Sequence, residues 1–340
     1  MGRTKRKELL ARRRRVAKPL CSIKKGITMI KYGETTYKNF GRCLKMTNGI
    51  IELLATIDIG PRIISFSKVG GENMFFPDVD RLSNQDDETQ LFAEKFGEDL
   101  GTWKNLGGHR LWTSPEALPR TYYPDCEPVA YTTDGNIQTL TPTQQRWTQQ
   151  QFEIKIVMSE DSPKVDVYHK ITNLSPWAQE FAPWALSVLS QGGTEIVPMP
   201  NRPTGLLHNR KLALWDYTKM NDKRVIWGDK YIVLKQEPNA ERPFKFGIDS
   251  QHGWAAYFNF GDVFLKKFDV VDGADYPDDG MNFETYTNGL FLEMESLGVY
   301  SKVEPNQSAT HHESWELIAD TTLPSTDEID IEKVLASYVG

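Results

Sequence analysis

QFEIKIVMSEDSPKVDVYHKI, residues 151–171, sets the fold class. In its first half Phe152, Ile154, Ile156 and Met158 share one face of an extended chain, with Glu153, Lys155 and Val157 on the other. In its second half Val165, Val167, His169 and Ile171 form the inward set. Alternation with a period of two is the signature of a strand covered on one face. Working outward, similar runs recur at residues 50–57, 62–69, 181–189, 231–236, 254–258, 263–268, 290–297 and 310–317, separated by clusters of Gly, Pro, Asn and Asp. Helical periodicity is confined to residues 326–338, where Thr326 precedes an acid-rich first turn as a capping residue would, and to a weaker stretch at 88–96. Many antiparallel strands with few helices predict an all-β sandwich or barrel.

Residues 29–325 read as one β domain followed by a C-terminal helix, 326–340, packed on or near it. Residues 1–28 stand apart. They hold eleven Lys or Arg against one acid, Glu8, although the whole chain carries a net charge of −6. This segment reads as a disordered basic extension, and any nucleic-acid contact is expected only through it, because the rest of the chain is acidic. The three cysteines, Cys21, Cys43 and Cys126, are far apart and odd in number, which speaks against a disulfide framework and for a reducing compartment. No apolar run approaches the roughly 18 residues of a membrane span, and the N-terminus lacks the apolar core of a signal peptide. A cytoplasmic protein without membrane contact is therefore expected. No phosphate-binding glycine loop, nucleophile elbow or metal-ligand spacing occurs, so neither cofactor nor metal is expected.

The chain is rich in aromatic residues, with 9 Trp, 13 Tyr and 16 Phe. They crowd most densely in WKNLGGHRLWTSPEALPRTYYPD, residues 103–125. There Asn105, His109, Arg110, Trp112, Glu116, Arg120, Tyr122 and Tyr123 share what reads as a long loop, with Gly107 and Gly108 in a tight turn. Flat rings beside charged hydrogen-bonding groups suit a sugar, which has an apolar CH face and a rim of hydroxyls. In NGLFLEMESLG, residues 288–298, alternation puts Glu293 and Glu295 on one strand face, roughly 6.5–7 Å apart at Cα. Two such neighbouring carboxyls suit acid–base work. His169, on an apolar face, reads as a satisfied core residue, and the adjacent His311 and His312 point to opposite faces.

Three stretches, IGPRIISFSKVGGENMFF (59–76), NLGGHRLWTSPE (105–116) and FLEMESLGVYSKVEPNQSATHHESWEL (291–317), together with residues 168–193, resemble the galactose mutarotase-like superfamily of aldose 1-epimerases. The resemblance implies a β-supersandwich of antiparallel sheets with a sugar in an open cleft. It implies Glu293 as the base and His109 as the acid. Trp184 falls where those epimerases carry a general-acid histidine, and an indole does not supply a proton at neutral pH. Arg62, Asn105, Arg110, Trp112, Glu116, Tyr122, Trp184 and Glu295 complete the expected substrate-binding set. Three functions remain open on these residues. They are a sugar epimerase or mutarotase, a non-catalytic carbohydrate-binding protein with Trp103, Trp112 and Trp184 stacking the sugar, and a glycoside-cleaving enzyme using Glu293 with Glu295 or Glu116. Arg62, Arg110 and Arg120 either favour an acidic sugar or are tied up in structural pairs.

Overall fold

A computed structural model describes residues 30–82 and 103–339. The basic segment 1–28 and the weaker helix candidate at 88–96 lie outside the described residues. The 151–171 stretch forms an antiparallel pair whose register sets Phe152 opposite Ile171, Ile154 opposite His169 and Ile156 opposite Val167. The inward sets of both strands therefore meet on one face.

Numbered along the chain, the strands build two antiparallel sheets. The first, eleven-stranded, runs in the order β1 (Lys31–Thr36), β2 (Arg42–Thr47), β3 (Ile51–Thr56), β4 (Ile63–Lys68), β5 (His109–Ser114), β10 (Gln179–Leu189), β19 (Leu292–Leu297), β18 (Phe283–Thr287), β15 (Phe244–Ile248) and β12 (Leu212–Leu214), with β20 (Ser301–Val303) also paired to β10. The second, ten-stranded, runs β13 (Val225–Trp227), β14 (Tyr231–Lys235), β11 (Thr194–Pro198), β16 (Trp254–Asn259), β17 (Asp262–Phe268), β21 (Ser308–Ile318), β9 (Lys164–Asn173), β8 (Gln150–Met158), β7 (Ile137–Thr141) and β6 (Ala130–Asp134). The fold is an all-β supersandwich, as the alternation and the resemblance predict.

Between the sheets Trp315 lies 5.7, 5.5 and 5.6 Å, ring to ring, from Phe66, Phe75 and Phe264. The helix α1 (Glu328–Val339) packs Ile331 and Leu335, one turn apart, on the outer face of the second sheet against Ile196, Val233 and Leu265. Its entry is held by Ser325, whose hydroxyl accepts from Asp327 N at 3.1 Å, rather than by Thr326. Among the described residues no helix is long and apolar enough to cross a membrane.

The main departure from the sequence reading is β5. Residues 109–114 read as loop, yet they form a strand in the middle of the first sheet, buried at every position. A strand covered on both faces loses the polar–apolar alternation that reveals strands. The glycines before it have a packing reason. Gly107 and Gly108 have φ of +77° and +69°, and a Cβ would fall 1.9 Å from Phe76 O and 2.6 Å from Ile63 O respectively.

Truncating the inter-sheet core should be costly. Phe264→Ala is expected to lower the unfolding free energy by about 3–5 kcal/mol in urea denaturation. Trp177→Ala, at a ring 75% exposed, should stay within about 0.5 kcal/mol.

Candidate functional site

The register of β5, β10, β19, β18 and β15 places side chains in rows across the outer face of the first sheet. Arg110, Leu186, Glu295 and Glu284 stand opposite one another in turn, as do Val188, Glu293, Tyr286 and Lys245. Trp112, Trp184 and Leu297 form a third row. These rows floor a cleft of about 490 Å³, within the size range of small-molecule sites. Its walls bring together Trp103, Asn105, Arg110, Trp112, Glu116, Tyr122, Trp184, Glu293 and Glu295 from the sequence-predicted set.

The two carboxyls are held differently. Arg110 donates from Nη1 and Nη2 to Glu293 Oε1, both at 3.1 Å. Its guanidinium also lies 4.2 Å from the Trp112 ring centre. Glu295 Oε2 accepts from Trp184 Nε1 at 3.0 Å and Lys245 Nζ at 3.2 Å, while Oε1 has no protein partner. Lys245 also pairs with Glu284 at 2.7 Å. Two buried carboxyls thus share one ammonium. Burial, reinforced by neighbouring Glu293, raises Glu295 to about 7 despite the pull of Lys245. Trp184 therefore fixes the orientation of Glu295 instead of acting as an acid.

The 115–125 segment closes one end. Tyr122 donates its hydroxyl to Glu116 and packs edge-on against Trp103 and Trp112, 5.3 and 5.1 Å away. Arg120 turns from the cleft to the Pro115 carbonyl. Asn105 Oδ1 accepts from Gly107 N at 3.2 Å, so its side chain braces the glycine turn beside Arg110.

Two expectations need correction. His109 does not join Glu293. It is fully buried on the opposite face of β5, because Arg110 and Trp112 take the cleft side of that strand and alternation turns His109 inward. Arg62 pairs with Asp125, and lines a separate cavity of about 40 Å³ with Tyr123 and Phe152 instead of the cleft.

His109 belongs instead to a polar layer between the sheets. His169 Nδ1 lies 3.2 Å from His311 O, which only accepts, so that nitrogen carries the proton. His169 Nε2 then accepts from His109 Nε2–H at 2.8 Å, and His109 Nδ1 accepts from the Ser187 hydroxyl at 2.9 Å. Ser296 donates to Glu313 Oε1 at 2.5 Å and accepts from His311 Nε2–H at 2.6 Å. Burial depresses His169 and His311 to about 3, and His109 also lies well below the usual histidine range. Among the described residues, His109, His169 and Glu313 have ligand atoms near enough, within 4.8 Å, to hold a metal. The ammonium of Lys266 already sits 2.8 Å from Glu313. The charge a metal ion would bring is thus supplied, and the network reads as structural.

Sequence reasoning missed Lys245, Trp215, Tyr217 and Tyr286, all of which line the cleft. The one available signal was a lysine inside the apolar run FKFGI, residues 244–248, because a strand that buries a Lys must also bury its partner.

No family model and no curated protein matches the chain. Among solved structures, a "putative aldose 1-epimerase" from Klebsiella pneumoniae is similar at 11% identity, covering 92% of this chain and 88% of its own, with a TM-score of 0.57. A "putative mutarotase" from Salmonella typhimurium is similar at 10% identity over 82% of this chain and 90% of its own, with a TM-score of 0.51. A TPR-domain containing protein from Parabacteroides distasonis is similar at 12% identity and a TM-score of 0.55 over 83% of this chain. The chain spans about half, 48%, of that protein's length. At these identities the likeness concerns the fold.

The buried groups set an expected pH profile of stability. Native His169 and His311 stay neutral to about pH 3, whereas unfolded histidines protonate near pH 6.5, so their contribution is full above about 6.5 and is lost toward 3. Glu195, raised to about 8 by burial, behaves oppositely. Its contribution is full below about pH 4.5 and is lost as pH rises through 8. Glu284 and Glu295, raised to about 8 and 7, lose their contribution with rising pH in the same way and offset the histidines between about 4.5 and 6.5. Tm should therefore fall on the acid side below about pH 4.5 and on the alkaline side between about 6.5 and 8, and thermal unfolding across this range should show Glu195→Gln reducing the alkaline fall and leaving the acid fall in place.

Proposed function

We propose that this chain, which has the galactose mutarotase-like fold, binds a sugar in the cleft on its first sheet and interconverts its anomers. The observation that carries the reading is the Glu293–Glu295 pair. One carboxyl is held by Arg110, and the other is held by Trp184 and Lys245 and raised to about 7. A general acid and a general base acting near neutral pH need this kind of separation between two neighbouring groups.

In this mechanism Glu293 takes the proton from O1–H of the pyranose. The O1 electrons form the carbonyl, the C1–O5 bond breaks with its electrons going to O5, and neutral Glu295 gives its proton to O5. Rotation about C1–C2 presents the other face of the aldehyde, and ring closure returns both protons. Charge and atoms balance over the cycle. Arg110 orients Glu293 through a charge-assisted pair. Trp103, Trp112 and Trp184 supply apolar surface for the CH face of the sugar.

Both carboxyls rise from one strand, so they approach the sugar from the same side. This favours proton traffic between O1 and O5, neighbours on C1, over the flanking of a glycosidic bond from opposite faces that glycoside cleavage needs.

Polarimetry on freshly dissolved aldoses tests the reading. Glu293→Gln is expected to slow anomer interconversion by about 10²–10⁴, the usual worth of a positioned acid or base. The rate should fall as pH rises through about 7, where Glu295 loses its proton, and Glu295→Gln should remove both the rate and that inflection. Saturable sugar binding with no acceleration would leave a non-catalytic binding protein. New reducing ends released from an aryl glycoside would overturn the assignment in favour of cleavage.

A further inference from the structure

We infer that the sugar taken by the cleft carries a positively charged amino group, and that Glu116 is the side chain that selects it. This rests on the carbohydrate reading above and names the substrate class that reading leaves open.

The first argument is the balance of charge. Among the described residues the lining holds three acids, Glu116, Glu293 and Glu295, against two cations, Arg110 and Lys245. Both cations are committed. Arg110 pairs with Glu293, and Lys245 pairs with Glu295 and, behind the lining, with Glu284. Glu116 accepts from the Tyr122 hydroxyl, which orients its carboxylate, and pairs with no Lys or Arg among the described residues. A deeper acceptor is open as well. Glu295, 1% exposed and lining the cleft, has an Oε1 with no protein donor. An anionic ligand finds no free cation here, whereas an ammonium finds a free carboxylate and brings three N–H donors to it.

The second argument is how the cleft already holds cations. The Arg110 guanidinium lies 4.2 Å from the Trp112 ring centre and 5.6 Å from that of Trp103. The Lys245 ammonium lies 4.9 Å from the Trp184 ring centre and 4.5 Å from that of Trp215. All four distances fall within the roughly 6 Å over which a ring face attracts a cation. Each cation of the described lining is thus held by a carboxyl and aromatic rings together. Glu116 beside Tyr122 repeats the carboxyl and the ring, and no protein cation stands over Tyr122 among the described residues.

The third argument is position. Burial pushes the Tyr122 hydroxyl up, and the charges of Glu116 and Glu293 push it further. Tyr122 therefore lies within electrostatic reach of both the wall acid and the proposed base. Tyr217, raised mainly by burial, also feels Glu116. One sugar ring on the carboxyl pair, with its anomeric carbon at Glu293, brings a ring substituent to the Glu116 side of Tyr122. Glu116 belongs to the 115–125 segment, outside the strand rows, so pairing there leaves the Lys245–Glu295 contact as it is.

Calorimetric titration of the full chain tests this at pH 6.5. That pH is below the roughly 7.7–8.0 at which an amine beside electron-withdrawing groups loses its proton. The probes are glucosamine, galactosamine and mannosamine, each against its parent hexose and its N-acetyl form, with glucuronic acid and cyclohexylamine as comparisons. At least one amino sugar is expected to bind about five-fold or more tightly than its parent and its N-acetyl form. That preference should shrink as NaCl is raised from 50 to 500 mM, because salt screens the pair. Glu116→Gln should bring the amino-to-parent ratio close to one, and Glu116→Asp, which keeps the charge, should retain part of it. Glu116 is exposed, and matching thermal unfolding of the three proteins ties the change to the charge. Equal affinity for amino and parent sugars, or a ratio untouched by salt and by Glu116→Gln, overturns the inference and leaves the sugar reading standing. Tightest binding of glucuronic acid does the same. Cyclohexylamine binding as tightly as the amino sugars overturns the sugar reading and leaves a cation site at Glu116. Binding of none of the probes overturns both.

Discussion

One buried ammonium ties the two sheets together behind the cleft. Lys266, on the second sheet, pairs with Glu313 at 2.8 Å and reaches across to the backbone carbonyls of Met294 at 3.0 Å and Ala185 at 3.4 Å. Those carbonyls belong to β19 and β10, the strands that carry Glu293, Glu295 and Trp184 on their other face. A buried charge is tolerated only when its partners are complete. The residues around Lys266 are accordingly constrained: Glu313 must face it, Ser296 must donate to that carboxyl, and the three histidines must stay neutral and point their protons one way. The strands beneath the cleft are thereby fixed in position from behind.

The same rule governs the front of the sheet. Central strands covered on both faces leave little water for any polar side chain, so each charge in the cleft is matched inside it. Arg110 with Glu293, and Lys245 with Glu284 and Glu295, are the result. Where two carboxyls share one lysine, the low local dielectric keeps a proton among them to higher pH than either would hold it in water. The chemistry available to the cleft is thus a by-product of burying an odd number of charges. Trp184 takes part by hydrogen bonding to Glu295, which joins the aromatic wall to the carboxyl pair.

Much of this architecture was legible in the chain. The alternation at residues 151–171 and 290–297 identified strands and put Glu293 with Glu295 on one face, and the aromatic density of residues 103–125 marked the segment that closes the cleft. Other features were not legible. The family resemblance made His109 a partner for Glu293, and NLGGHRLW shows no period that speaks against it. The strand it opens is buried on both faces, so nothing in its sequence distinguished the face toward the second sheet from the face toward the cleft. Arg62 appeared beside the site for a similar reason, since its pairing with Asp125 joins positions that no local pattern connects.

The sequence by itself determined the fold class, the strand positions of half-covered strands, and the identity of the carboxyl pair, because alternation is a local property set by the pleat of an extended chain. Only the tertiary structure decided which way β5 faces, which cation serves which carboxyl, and that Lys245, Trp215 and Tyr217 reach the cleft at all. Those outcomes depend on β5 pairing with β10, β10 with β19, and β18 with β15, and on which sheet then covers which face. Burial on both faces erases the local pattern at the very strands where the side chains of interest are held.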